Sequence, residues 1–224
     1  MIRALFIKLL RVSGKQYTPA PELPTGLLIN TLITRFVYLL RGFCLFQKFV
    51  FVGSSSKIRG KSTLKLGRGV TIDHHCDLDG YAREGIEIGN SSKIGAYTVV
   101  SCTSHFSKLG KGFKMGSFSG IGEFSYIGSA GGVTIGDNVI MGQYISFHSE
   151  NHNFEDTSKL IRDQGVTSQG ILLGNDIWVG AKVTFLDGCQ IGNHCVVAAG
   201  AVVKGTFPDN CVIGGVPAKI LKQL

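Results

Sequence analysis

Proline and acidic side chains are scarce in this 224-residue chain, which has five prolines and 15 Asp and Glu against 23 Lys and Arg. The 31 glycines show no Gly-X-Y period, which excludes collagen and leaves many tight backbone corners as their reason. No two of the six cysteines, Cys44, Cys76, Cys102, Cys189, Cys195 and Cys211, have CxxC spacing. Free thiols in a reducing, cytoplasmic setting are expected. No nucleic-acid motif and no interleaving of aromatic with basic residues accompanies the formal charge of +8. That charge instead suits an anionic membrane surface or phosphorylated small molecules. The opening MIRALFIKLLRV scatters Arg3, Lys8 and Arg11 among its apolar residues with no small-residue cleavage site after it, a poor signal peptide. Between Leu27 and Val52, Arg35, Arg41 and Lys48 interrupt the apolar run short of the roughly 20 residues a spanning helix needs. No transmembrane span is expected.

Hydrophobic residues make up 44% of the chain, ample for a core, and they return with a period of six. Leu173, Val179, Phe185, Ile191, Val197 and Val203 are spaced by six, and Ile177, Val183, Cys189, Cys195, Ala201 and Phe207 follow each by four. The same register runs through Leu66, Ile72 and Leu78, then Ile88, Ile94 and Val100, Ile121 and Ile127, and Ile135, Met141 and Phe147. A helix needs returns near 3.6 residues and an amphipathic strand needs alternation, so neither fits. Short flat strands joined by sharp corners do, stacked as a parallel β-helix in an all-β fold. Each coil would hydrogen-bond the coils above and below it.

Residues 1–57 lie outside the repeat, which is assigned to 58–224. Leu28, Leu32, Phe36, Leu39, Phe43 and Phe46 return at three or four residues opposite Asn30, Thr34, Arg41 and Lys48, a helical stripe. Two readings stay open for it: a cap over the open end of the stack, or a basic amphipathic anchor on anionic lipid.

The stretch LGNDIWVGAKVTFLDGCQIGNHCVVAAGAVV resembles the hexapeptide-repeat acyltransferases, whose fold is a left-handed parallel β-helix. The left hand comes from that resemblance, because ordinary crossover rules favour the right. The rhythm fails once in an informative way. From Phe147 to Leu173 is 26 residues, not a multiple of six, so a loop over 150–170 is extruded. Reactive groups usually sit on such loops. It opens on Glu150, Asn151, His152, Asn153 and Phe154, and this segment, followed by GNDIWVGAKV, is similar to that of galactoside, maltose and streptogramin acetyltransferases.

The resemblance implies that His152 is a general base, and imidazole is suited to take the proton of an attacking hydroxyl near neutral pH. Glu150 is a candidate to orient it, although a backbone carbonyl would serve equally. His148, Asn151 and Phe154 are candidates to touch the acceptor. The resemblance also implies acetyl-CoA as co-substrate in a groove between subunits of a homotrimer. Trp178 would flank the pantetheine arm, Gly180, Ala181 and Ala199 would line it with backbone N–H groups, and Lys204, Lys219 and Lys222 would approach the phosphates. Ala181 N–H is also a candidate oxyanion donor. Cys76, Cys189, Cys195 and Cys211 take inward positions and read as core packing. The expectation is an O-acetyltransferase acting on a sugar or polysaccharide precursor in capsule, O-antigen or exopolysaccharide synthesis, without a metal, and cytoplasmic or peripheral at the inner membrane face. The rivals are an N-acyltransferase on an amino sugar, a gamma-class carbonic anhydrase using His105, His148 and His152, and a non-enzymatic scaffold.

Overall fold

The computed structural model describes residues 2–12 and 18–224, most of which wind as a three-faced coil. Strands of mostly two or three residues alternate with corners, and successive strands join successive faces. The first face stacks Phe51–Val52, Thr71–Ile72, Lys93–Ile94, Gly120–Ile121, Ile140–Met141, Ile177–Val179, Cys195–Val197 and Cys211–Gly215, all parallel. The second and third faces stack seven strands each. The first strand, Phe51–Val52, already lies within residues 1–57.

Rung-to-rung hydrogen bonds such as Gly142 N to Val179 O (2.9 Å) and Gly180 N to Val197 O (2.8 Å) continue across the corners, so the winding satisfies its own backbone. Every apolar position of the six-residue register is buried, none more than 7% exposed. Phe147 stacks on Phe185 at 4.7 Å between ring centroids. Cys76, Cys189, Cys195 and Cys211 are buried as expected, and so is Cys102. Burial pushes the thiols of Cys76 and Cys211 up to about 11 and that of Cys189 up to about 12, so at neutral pH these three are packing groups, not nucleophiles.

One corner carries a feature the period did not announce. His75, Tyr97, Phe124 and Tyr144 each adopt positive φ, between 55° and 58°, where the first face turns into the second. Their rings stack rung upon rung at 4.9, 5.0 and 5.2 Å. Offset stacking of this kind contributes beyond area burial and helps offset the strained backbone.

Two helices precede the coil, α1 (Ile2–Val12) and α2 (Thr25–Phe46). Arg3 links them by donating to the carbonyls of Ala20 (2.7 Å), Pro21 (2.9 Å) and Leu23 (2.9 Å). α2 lies against the first rung on only part of the stripe expected. Leu28 is buried and Phe46 packs against the core, but Phe36 and Phe43 face outward and are exposed, and Arg35 and Tyr38 point at the coil. The rim of the first rungs is polar, and it draws polar groups. Arg35 Nη1 donates to Thr71 Oγ1 (2.9 Å) with its guanidinium 3.6 Å from the centre of the Phe51 ring, and Tyr38 Oη donates to Asp73 Oδ1 (3.1 Å). Gly42 is pressed so closely on Val50 that a Cβ would collide with its carbonyl oxygen. Arg35 and Arg41 do not interrupt the helix: its 22 residues are long and apolar enough to cross a membrane by length and composition alone. At the other end, Ala218–Gln223 folds back antiparallel on Cys211–Gly215.

Candidate functional site

The chain leaves the coil where the second face meets the third. Ser149 marks the exit: it is buried, its Oγ donates to Gly128 O (2.7 Å), and it accepts from Gly131 N (3.0 Å). The excursion is not a loose loop. Asn151–His152 pairs antiparallel with Val166–Thr167, His152 opposite Val166, which makes a stiff two-stranded arm. Gln164 fastens its tip, donating from Nε2 to Asp156 O (2.9 Å) and Lys159 O (3.1 Å) and accepting Asp156 N at 3.0 Å. Asn153 Nδ2 adds a bond to Gln164 O at 3.0 Å.

The return is held by Asp187, a carboxylate only 6% exposed. Gln169 N reaches both its oxygens (2.9 and 3.0 Å), and Gly170 N donates to Oδ1 (2.8 Å). A second excursion at the same corner supports the arm from two rungs below. Ser104 Oγ donates to Glu150 Oε1 (2.9 Å), and Lys108 Nζ donates to Ser168 Oγ (3.3 Å).

Between arm and coil lies a hollow of about 860 Å³ lined by His152, Asn151, Phe154, Asp187 and Lys204 among others. His152 is exposed, and no described residue hydrogen-bonds its ring. The hollow combines one imidazole, two lysines and several carboxylates and amides with the apolar surfaces of Phe154 and Leu186, which suits a small polyhydroxylated ligand. Among the described residues Glu150 makes no hydrogen bond or ion pair with His152, and its Oε1 accepts from Ser104 instead. His148 lies outside the hollow on the second face, its Nε2 2.7 Å from Ser146 Oγ and its ring tilted against Tyr126.

The remaining candidates lie elsewhere in the chain. Trp178 stands outward on the first face, 61% exposed, opposite Ile140 and Val196 on the neighbouring rungs. Gly180, Ala181 and Ala199 occupy the corner between first and second faces, one face away from His152. There the rungs touch: a Cβ on Gly180 would stand 2.5 Å from Ala199 N. Among the described residues no group accepts from Ala181 or Ala199 N–H, which leaves two donors for a ligand. Lys219 and Lys222 sit on the returning strand beside Gly214 and Val212. One chain therefore gathers His152, Asn151, Phe154 and Lys204, and keeps Trp178, Ala181 and Ala199 apart from them. Sequence reasoning missed Asp187, Gln164 and Ser104.

Residues 170–205 match the family model for the bacterial transferase hexapeptide (six repeats). The chain is 32% identical over 158 residues to a "Probable acetyltransferase" of Mycobacterium tuberculosis, covering 70% of this chain and 49% of that one. It is 34% identical to a "Putative lipopolysaccharide biosynthesis O-acetyl transferase" of Escherichia coli over 46% of this chain and 56% of that one. The chain spans about half the length of these curated relatives. A crystal structure of an N-acyltransferase from Bacillus cereus, with dTDP-4-amino-4,6-dideoxyglucose and Coenzyme A, superposes with a TM-score of 0.52 at 21% identity, covering 79% of this chain and 81% of that one. At that identity the likeness bears on the fold. Family model, relatives and fold agree on the resemblance to the hexapeptide-repeat acyltransferases, a group of enzymes.

Proposed function

We propose that this hexapeptide-repeat chain is an O-acetyltransferase, moving acetyl from acetyl-CoA to a hydroxyl of a sugar or polysaccharide precursor, with His152 as general base. The observation that carries the reading is His152 itself, an imidazole with no hydrogen-bond partner among the described residues, held on a two-stranded arm over a polar hollow. The left hand of the coil belongs to the same reading, as do the pathway of surface polysaccharide synthesis and a cytoplasmic location.

In this mechanism an acceptor hydroxyl gives its proton to His152 as its oxygen attacks the thioester carbonyl carbon. The carbonyl π electrons move onto oxygen, where Ala181 N–H donates to the oxyanion. Collapse of the tetrahedral species re-forms the carbonyl and breaks the C–S bond. The departing thiolate takes the proton from His152, which restores the base. Asn151 and Phe154 hold the acceptor, and Trp178, Gly180 and Ala199 lie along the pantetheine arm. Lys204, Lys219 and Lys222 face the phosphates.

The separation of the two residue groups favours a site shared between copies. His152 of one protomer would meet the Trp178 to Ala199 groove of its neighbour in a homotrimer, which closes the hollow that one chain leaves open. An amino group as acceptor is the second reading, favoured by the amino sugar bound to the Bacillus cereus enzyme of the same fold. Matched hydroxyl and amino sugars in a thioester-turnover assay separate the two. His152→Ala is expected to lose about 10²- to 10⁴-fold in turnover with CoA affinity unchanged. Near-normal turnover in that variant refutes the assignment.

A further inference from the structure

The helical end of the molecule has two faces, and only one is used by the coil. Arg35, Tyr38 and Gly42 fasten α2 to the first rungs. On the other side Ile33, Phe36, Val37, Leu40 and Phe43 are each between 45% and 61% exposed, at spacings of three and four that place them on one stripe. Leu5 and Leu9 of α1 are exposed as well, at 50% and 46%. An apolar surface of this kind calls for a partner.

Charge identifies which. Residues 1–72 carry twelve lysines and arginines against one acid, Glu22, a formal +11, whereas the whole chain is +8 and the remainder is therefore −3. The positive charge of the molecule is concentrated at the end that bears the exposed stripe. Arg59 is paired with Asp77 and Asp79, and Lys65 with Glu87. Among the described residues Lys48, Lys57, Lys61 and Arg68 have no acidic side chain within ion-pair distance, and all four are exposed.

We propose that this end docks on an anionic bilayer surface, with α2 lying in the interface on its Ile33 to Phe43 stripe and the surrounding basic side chains meeting lipid headgroups. Two alternatives fit less well. A second copy seated on the stripe would bring two strongly positive ends together, which costs repulsion that anionic lipid removes. A helix crossing the bilayer would have to give up Arg35 to Thr71 and Tyr38 to Asp73 and carry Arg35 and Arg41 into hydrocarbon.

The test is co-sedimentation of the full chain with phosphatidylcholine vesicles, pure or containing about a third phosphatidylglycerol. Binding is expected to the anionic vesicles alone, weakening as salt is raised through the range that shortens screening from about 10 Å to about 3 Å. Phe36→Glu with Leu40→Glu should lower the partition at least about tenfold, because it places charge in the buried face. Lys57→Glu with Lys61→Glu, away from the helix, should remove most of the preference for anionic lipid, at about fivefold per basic residue. Thioester turnover with a soluble acceptor should be unchanged in both, so failure of the enzymatic reading and failure of this one are distinguishable. Equal partition of wild type and both variants overturns the proposal. So does a stripe-dependent dimer without vesicle binding, and protein that resists alkaline extraction would indicate a crossing helix instead.

Discussion

Replacing Asp187 by alanine removes the acceptor that ends the arm carrying His152. Two backbone donors lose their partner, Gln169 N and Gly170 N, at distances of 2.8 to 3.0 Å. A hydrogen bond to a charged acceptor contributes about 1.5–3 kcal/mol, but Gln169 is exposed and water can replace part of its loss. The net cost is about 2–4 kcal/mol, or on the order of 30- to 1000-fold in an opening equilibrium. That cost falls on the arm and not on the coil, whose rung-to-rung bonds do not pass through Asp187. Amide exchange should therefore quicken across residues 149–170 by that factor and stay unchanged across 171–203. With His152 no longer fixed over the hollow, kcat/KM for acyl transfer should fall about tenfold or more, as expected when a positioned group is displaced. Asp187→Asn keeps one acceptor but turns an amide N–H toward a backbone donor, and should be intermediate. Unchanged exchange at Gln169 and Gly170 in Asp187→Ala would refute the reasoning, whatever the activity.

Removing charge at Lys219 and Lys222 should raise the apparent KM for acetyl-CoA more than that for acceptor, and the difference should shrink with added salt because exposed ion pairs are screened. Equal effects on both substrates in steady-state kinetics would count against the phosphate role. Mixing His152→Ala chains with chains blocked by a bulky residue at Ala199 should restore activity, since an interface in a mixed trimer holds both intact halves. No recovery despite proven subunit exchange would dispose of the shared site. Burial, with Asp73 beside it, pushes Tyr38 up to about 12 from an ordinary 10.0. A raised folded pKa favours the folded state below pH 10 and loses that contribution as pH rises toward 12, so α2 should loosen over this alkaline range. Exchange of the α2 amides measures it, and Tyr38→Phe should abolish the pH dependence.

The coil was legible because burial is set by period alone. From Leu66 to Val203 the apolar residues recur by six within each uninterrupted run, and all of those positions pack inward. The arm was legible as an interruption, but not as a hairpin, because the pairing of His152 with Val166 spans a segment with no alternation to announce it. Asp187 escaped notice for a related reason. It follows the inward Phe185 by two, where many corners carry no functional group, and only the fold brings it under Gln169. The stacked corner did leave a signal: His75, Tyr97, Phe124 and Tyr144 each stand three residues after Ile72, Ile94, Ile121 and Met141. Aromatics at positive φ are uncommon enough that propensity argues against placing them there. The rotation of α2 was unreadable from its own residues, because it is Thr71 and Asp73 on the coil that turn Arg35 and Tyr38 inward.

The returning strand Ala218–Gln223 has a consequence beyond carrying two lysines. Parallel rungs at about 4.8 Å make each end of the stack a template for another strand, the geometry by which cross-β fibrils lengthen. At the first end α2 lies against Phe51–Val52, the outermost strand of the first face. At the last, Ala218–Gln223 pairs with Cys211–Gly215 in the opposite direction, so the outermost strand offers an incoming rung a reversed and basic edge. A fold built on repetition needs its edges closed, and on the first face these two segments close them.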